Sequence, residues 1–271
     1  MKFSKTVMGL ALSVGAALLA PRADAAQYDL TILGSDAIFL AGRTDLAPVP
    51  AVGVDWYSQG GLVRQFPVPP ERIQETFPQS LAINPGQIVR VLDPAQGGVS
   101  FFQGFGGTMY GPEGNGAPNS SQIQPFGGLS GWIGTQGALV GVFLSDAVPN
   151  GAPPATLNFS TTGVNPLGVD FSSLSPDLGQ IFFIGDGKTS SDVFQEFVAP
   201  TGATRVFFGI VDAYNFNGEA GTYDDNDGSY RILVGIDEIP TTTPIPGALP
   251  LFASGLGALG LLGWRRRKKV A

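Results

Sequence analysis

The feature that most constrains this chain is its C-terminal end, where an apolar run is followed by a cluster of cations. Ala248–Trp264 is a stretch of 17 residues without a charged side chain. As a helix it would be about 26 Å long, near the lower limit for crossing a bilayer core. A buried helix of a soluble domain is the alternative, but such a helix has no use for the cations. Because cations beside a span stay in the cytoplasm, we expect a transmembrane helix over 248–264, with the chain before Thr243 across the membrane. The cations are Arg265, Arg266, Arg267, Lys268 and Lys269.

The N-terminal end has the three-part pattern of a secretory signal peptide. Lys2 and Lys5 precede the apolar run Val7–Ala20, and the small residues Ala23 and Ala25 stand at the two positions that determine cleavage. Arg22 is a charge unusually close to that site. We therefore expect a signal helix within residues 1–25, cleavage after Ala25, and an exported ectodomain over 26–243.

The link between ectodomain and apolar run carries a proline motif, Thr243-Pro244-Ile245-Pro246-Gly247-Ala248-Leu249-Pro250. With the Gly/Leu-rich run and the basic end, it resembles a C-terminal sorting signal of the PEP-CTERM type, nearest to the VPLPA subclass. Thr243 stands where that subclass has Val, and Gly247 where it usually has Ala, which leaves the identity of the cutting enzyme open. The resemblance implies a sorting tail over 244–271 and an exosortase-like membrane protease as partner. It also implies anchoring in the inner membrane during transit, then the cell surface or extracellular matrix.

The composition of the ectodomain excludes several classes of function. Residues 26–243 contain 21 acidic and 7 basic residues, a net charge of −14. That charge repels nucleic acid and favours divalent cations. The chain has no cysteine and no histidine, so disulfides, thiolate metal sites, Ser–His and Cys–His nucleophile pairs and the commonest zinc ligand are all excluded. A hydrolase that uses carboxylates remains as the least favoured hypothesis, because no paired-acid motif is visible. We expect a non-catalytic protein.

Short runs of Val, Ile, Phe and Tyr between Gly, Pro, Asn and Asp predict β-strands. With no long helical period in the ectodomain, they favour a single all-β domain, a jelly-roll-like β-sandwich with long Gly-rich loops. We expect loops over Gly97–Gly137, which holds 13 glycines in 41 residues, with a strand near Val99–Phe102. A surface insertion is expected over Val148–Ser175, and Asp192–Phe197 reads as a strand. The other predicted strands are Tyr28–Leu33, Ile88–Leu92, Ala138–Leu144, Gln180–Ile184, Arg205–Val211 and Ser229–Ile236.

The densest chemical signal is the segment Asp212–Gly228 between two predicted core strands. It contains eight side chains with hard oxygen acceptors in 17 residues. Calcium takes six to eight such oxygens with flexible geometry, whereas zinc would lack nitrogen or sulfur ligands. The spacing does not fit an EF-hand. The same residue types also form hydrated turns, so calcium and a simple polar loop remain open on composition alone.

Several segments are similar to the last third of the bacterial calcium-dependent galactophilic lectins, which have a galactose-binding-like β-sandwich. They are Phe194-Gln-Glu-Phe-Val-Ala-Pro-Thr-Gly, the strand Arg205–Val211, Asp212, and Gly221-Thr-Tyr-Asp-Asp-Asn-Asp-Gly-Ser-Tyr230. The resemblance implies a Ca²⁺ site, with Asp212 as first ligand, Thr222 through its backbone carbonyl, and Asp225 and Asn226 as paired side-chain ligands. Asp225 replaces an Asn of the lectins.

The residues that contact the sugar in the lectins have poor counterparts in this chain. The chain has no histidine, and residues 213–219 are an insertion relative to the lectins. Beside the least favoured hydrolase, two non-catalytic hypotheses stay open. One is an exported, calcium-stabilised, carbohydrate-binding-like module attached to polysaccharide or the cell surface. The other is a structural exopolysaccharide or biofilm matrix protein without a specific sugar ligand. A lectin-like fold does not by itself carry the lectin's function.

Overall fold

The computed structural model describes residues 25–45, 75–101, 107–223 and 226–238. Within these ranges the regular structure is mostly β-strand, and helix is confined to short 3₁₀ turns, among them Ile38–Leu40 and Tyr214–Phe216. The all-β prediction is confirmed. The strands are β1 (Ala26–Leu33), β2 (Gln79–Ala82), β3 (Ile88–Ser100), β4 (Ser121–Ile123), β5 (Trp132–Gly134), β6 (Leu139–Leu144), β7 (Ser173–Leu174), β8 (Ile181–Phe183), β9 (Glu196–Val198), β10 (Arg205–Ile210), β11 (Asn217–Gly218) and β12 (Asp227–Ile236).

The strands form three sheets. The five-stranded sheet has the order β1-β12-β3-β9-β7, the four-stranded sheet β2-β10-β6-β8, and the three-stranded sheet β11-β4-β5. β12 pairs antiparallel with β1 along its length, from Leu33 opposite Ser229 to Ala26 opposite Ile236. β12 also pairs with β3, where two irregularities in register interrupt the ladder. The long strand β12 is therefore central to the larger sheet.

The two larger sheets share one apolar core. Phe182 of β8 stacks on Phe197 of β9 with ring centroids 4.9 Å apart, so side chains from the two sheets meet directly. The strands β6 and β10 are paired antiparallel and almost wholly buried, as their near-continuous apolar sequences predict. Burial of this apolar surface is the main favourable term that holds the sheets together.

The described part of the glycine-rich stretch 97–137 contains more regular structure than the sequence predicts. It contains β4 and β5, which pair with each other and, through β4, with β11. Trp132 of β5 is fully buried and stacks on Phe159 at a centroid distance of 5.3 Å. The predicted surface insertion therefore supplies a core residue, because Phe159 lies inside it with no exposed surface. A strand was predicted over Asp192–Phe197, but β9 begins only at Glu196, since Asp192 has a left-handed backbone (φ 61°).

The expected membrane and targeting segments lie outside the described residues, except for Ala25. In the ranges that the structure describes, we find no helix long and apolar enough to cross a bilayer.

Candidate functional site

The acidic loop, defined as Asp212–Gly228, connects β10 of one sheet to β12 of another. Its first residue, Asp212, is only 1% exposed although it is an acid. One carboxylate oxygen, Oδ1, accepts a hydrogen bond from the backbone N–H of Ala213 at 2.7 Å. Burial of a carboxylate is costly unless partners satisfy it, so a buried acid at the end of a core strand marks a candidate site.

A buried tyrosine closes the acidic loop on itself. The Tyr223 hydroxyl donates to the carbonyl of Ile210 at 2.8 Å and accepts from the backbone N–H of Asp212 at 3.1 Å. The backbone N–H of Gly221 donates to the carbonyl of Asp212 at 3.1 Å. Tyr223 has no exposed surface. It therefore fixes the distance between the start and the end of the loop, a role that the sequence analysis missed.

Three residues of the loop have left-handed backbone conformations that L-residues with large or branched side chains rarely adopt. The φ angles are 51° at Asn215, 53° at Phe216 and 65° at Thr222. Asn tolerates this region, but Phe and the β-branched Thr do so only when their surroundings impose it. At Phe216 the surroundings are a buried ring position against Phe101 and a hydrogen bond from the Ser121 hydroxyl to its carbonyl at 3.2 Å. Such strain is concentrated at functional sites in proteins.

Asn226 ends the loop and is 8% exposed. Its Nδ2 donates to the carbonyl of Gly34 at 2.8 Å, and its backbone N–H donates to the carbonyl of Tyr223 at 3.2 Å. Its Oδ1 is buried and accepts no hydrogen bond from the described residues. A buried acceptor without a donor costs about 1–3 kcal/mol, so this oxygen is a candidate ligand atom for a bound cation.

Three of the four predicted calcium ligands, Asp212, Thr222 and Asn226, are among the described residues. The backbone N–H of Asp212 donates to the Tyr223 hydroxyl and that of Asn226 to the Tyr223 carbonyl, so the two residues contact opposite ends of this tyrosine, and Thr222 directly precedes it in the chain. Asp225, the fourth, lies outside the described residues. Within the described part of the chain, which lacks Asp224 and Asp225, there is no group of three or more Asp, Glu, His or Cys residues that could hold a metal. The carbonyl, amide and single buried carboxylate present are nevertheless the oxygen types that Ca²⁺ takes.

The turn after β1 is hydrogen-bonded to the acidic loop through the Gly34 carbonyl and Asn226. The Asp36 carboxylate accepts from the backbone N–H of Leu33 at 2.8 Å and from the Thr76 hydroxyl at 2.5 Å. Burial raises the pKa of Asp36, although both hydrogen bonds act in the opposite direction. Through these bonds Asp36 fixes the turn whose Gly34 carbonyl holds Asn226. No sequence pattern indicated this role.

A second pair of acids, Glu113 and Asp186, lies just beyond the end of β8. The Glu113 Oε1 accepts from the backbone N–H of Asp186 at 2.8 Å. Burial, together with the neighbouring Asp186 charge, raises the pKa of Glu113 to about 7. Asp186 lies in the glycine turn that follows β8, where Gly185 and Gly187 have left-handed φ angles of 57° and 80°.

The other predicted site residues lie outside the described residues. They are the cleavage residue Ala23, the sorting motif Pro244, Ile245, Pro246, Gly247 and Ala248, and the cations Arg265, Arg266, Arg267, Lys268 and Lys269. Ala25 is described and directly precedes β1.

Comparisons with protein-family models, with curated proteins and with solved structures found no match to this chain.

Proposed function

We propose that this protein is an exported, non-catalytic module whose acidic loop binds Ca²⁺, and that the metal-bound loop recognises a carbohydrate. In this proposed function the two larger sheets form a lectin-like, jelly-roll-type sandwich. The observation that carries it is the Asn226 Oδ1, a buried acceptor that takes no hydrogen bond from the described residues and lies near the end of a strained loop. A cation is a partner that would satisfy such an oxygen, and the buried acid Asp212 at the start of the same loop would supply negative charge.

The residues that would hold the ion are Asp212 and Asp225 through carboxylates, Asn226 through Oδ1, and Thr222 through its carbonyl. The net charge of −14 over residues 26–243 adds a long-range attraction for a divalent cation. A bound Ca²⁺ can also take hydroxyl oxygens from a ligand in its remaining positions, which is the chemistry that a carbohydrate offers.

We further propose that the exported protein is held in the inner membrane by the helix 248–264. An exosortase-like protease would then act near Pro244–Ala248 and deliver the ectodomain to the cell surface or extracellular matrix. The alternative function, a structural matrix protein, has one supporting observation. β11, in the middle of the acidic loop, pairs with β4, so a metal in the loop would stiffen the three-stranded sheet even without a sugar.

Isothermal titration calorimetry of the full chain with CaCl₂ tests the metal site. The chain is kept in a polyoxyethylene detergent, which carries no sugar. We expect saturable binding that is lost in Asp212→Asn, which keeps the oxygen that accepts from Ala213, and in Asn226→Ala. Asp93→Asn, an exposed acid on β3, is the matched control and retains binding.

Binding that persists in both loop variants would reject the assignment. Calcium-dependent retention on immobilised galactose, glucose or mannose polymers would separate the carbohydrate function from the structural one. Calcium binding without such retention favours the matrix protein.

A further inference from the structure

A groove separate from the acidic loop lies beside the three-stranded sheet. Its volume is about 680 Å³, and its walls come from β4, β5 and the segment 155–167. The polar side chains that line it are neutral amides and hydroxyls, among them Asn119, Gln122, Asn158 and Asn165. Among the residues lining this polar groove, none carries a charge.

Hydrogen bonds between side chain and backbone hold the walls in place. The Asn158 Nδ2 donates to the carbonyls of Thr162 and Val164 at 2.9 and 3.1 Å, and its Oδ1 accepts from the backbone N–H of Ser160 at 3.0 Å. Across the groove, Asn119 Oδ1 accepts from the backbone N–H of Thr161 at 3.0 Å. The groove is therefore preformed, which lowers the entropic cost of binding.

Apolar side chains lie exposed between the polar ones. Val164 is 82% exposed and Leu167 is 44% exposed, and Ile133 of β5 contributes to the same surface. Exposed aliphatic groups beside neutral amides form an amphipathic surface. Such a surface matches a ligand that has both hydroxyl groups and C–H faces.

The groove does not offer a free strand edge. The backbone N–H of Phe159 donates to the carbonyl of Ile133 at 2.8 Å, and Asn158 forms a parallel bridge with Ile133. The backbone N–H of Leu167 in turn donates to the carbonyl of Asn158 at 2.7 Å. An extended peptide binds by adding a strand to an open edge. Because the outer edge of β5 is already bonded here, the geometry disfavours a peptide.

The charge of the surroundings disfavours charged ligands. The ectodomain has a net charge of −14, which repels anions. Cations find no carboxylate among the groove-lining residues. A neutral ligand rich in hydroxyl groups is therefore the class that fits.

We propose that the polar groove binds a neutral oligosaccharide, with Gln122 and Asn165 as hydrogen-bonding side chains and Val164 and Leu167 as contacts for the apolar faces of the sugar rings. This inference goes beyond the metal-dependent site, since no groove residue belongs to the acidic loop and no calcium is required.

Saturation-transfer difference NMR of the full chain in polyoxyethylene detergent tests the proposal. The probes are neutral tetrasaccharides of glucose, mannose and galactose, a tetragalacturonate, and a neutral decapeptide of Ser, Gly and Thr. All spectra are recorded in EDTA, so a metal-dependent sugar site does not contribute. We expect saturation of at least one neutral tetrasaccharide, and none of the charged sugar or the peptide.

Two groove variants and one control locate the binding. Val164→Asp places a charge in the groove, and Gln122→Ala removes a hydrogen-bonding side chain. Each should weaken binding by about tenfold, the effect of losing about 1.4 kcal/mol. Val193→Asp changes another exposed valine, on the turn between β8 and β9, and should leave binding unchanged.

No saturation of any tetrasaccharide in a folded sample overturns the proposal, as does binding that is equal in all three variants. Saturation of the peptide alone would identify a peptide groove instead and would also overturn it. Sugar saturation that appears only when calcium replaces EDTA would place the ligand at the acidic loop. That result would support the proposed function while rejecting the groove, so the two can fail separately.

Discussion

Two asparagines with the same burial differ in how their side-chain amides are hydrogen-bonded. Asn158, in the wall of the polar groove, and Asn226, at the end of the acidic loop, are both 8% exposed. Asn158 uses both ends of its amide, donating to Thr162 and Val164 and accepting from Ser160. Asn226 donates to Gly34, but its Oδ1 accepts no hydrogen bond from any residue that the structure describes.

The difference separates an asparagine that builds structure from one that is available for a ligand. A buried amide that satisfies both its donor and its acceptor stabilises the fold and has little left to offer. A buried amide with an unsatisfied oxygen is a local cost that a bound cation can remove. Residue type and burial do not distinguish the two cases, whereas hydrogen-bond partners do.

The largest effect is expected at Asn158. Asn158→Ala removes the amide that organises the turn 158–164 and should destabilise the folded protein by about 3 kcal/mol. The measurement is urea unfolding of the full chain in EDTA. A loss below about 1 kcal/mol would contradict the structural role of Asn158, since that is the worth of one ordinary hydrogen bond.

The pH dependence should give the next largest effect, through Glu113. Its folded-state pKa of about 7 lies above the ordinary 4.5, because of burial and the neighbouring Asp186 charge. Between these two values the unfolded chain has released this proton and the folded chain has not. Stability from this group is therefore full below about pH 4.5, falls as the pH rises to about 7, and then stays constant.

Glu113→Gln removes that loss and keeps an oxygen to accept from Asp186. The variant should be about 1–2 kcal/mol more stable than the wild type at pH 8, with little difference at pH 4. Urea unfolding at the two pH values measures the change. Asp36, whose raised pKa acts with the same sign, is present in both proteins and cancels in the comparison. A wild type that gains stability from pH 5 to 8 relative to the variant would show that the Glu113 pKa is not raised.

The smallest effect is expected at Asn226 in the absence of metal. Asn226→Ala loses the bond to Gly34 but also removes a buried oxygen that has no donor, so the two contributions oppose each other. We expect a change in unfolding free energy below about 1 kcal/mol in EDTA. If Asn226→Ala costs as much as Asn158→Ala under these conditions, the two asparagines are equivalent and the comparison fails.

The sequence predicted the long apolar strands better than the short strands in the glycine-rich segments. Near-continuous apolar runs such as 205–210 identify core strands because both faces are buried. The short strands β4 and β5 escaped prediction, since glycines dominate their neighbourhood and the burial of Trp132 comes from Phe159, which is distant in sequence.

Prediction of the candidate site was limited in a similar way. The clustering of oxygen-bearing residues indicated the acidic loop, in which the backbone N–H groups of Asp212 and Asn226 donate to the hydroxyl and the carbonyl of Tyr223. Neither Tyr223 nor Asp36 could be recognised in advance, because their roles arise from contacts with the backbone of β10 and with Thr76. Asparagine content likewise could not separate Asn226 from Asn158, since the distinction depends on partners that only the fold brings close.

The most direct test of the account is the thermal unfolding midpoint of the full chain in EDTA, in millimolar calcium and in millimolar magnesium. Calcium at about 100 times its dissociation constant should stabilise the folded state by about 2.7 kcal/mol. We predict a calcium-selective rise in the midpoint for the wild type and for Asp93→Asn, and none for Asn226→Ala. A folded wild-type sample whose midpoint is the same in calcium and in EDTA would contradict the central claim that the acidic loop is a calcium site.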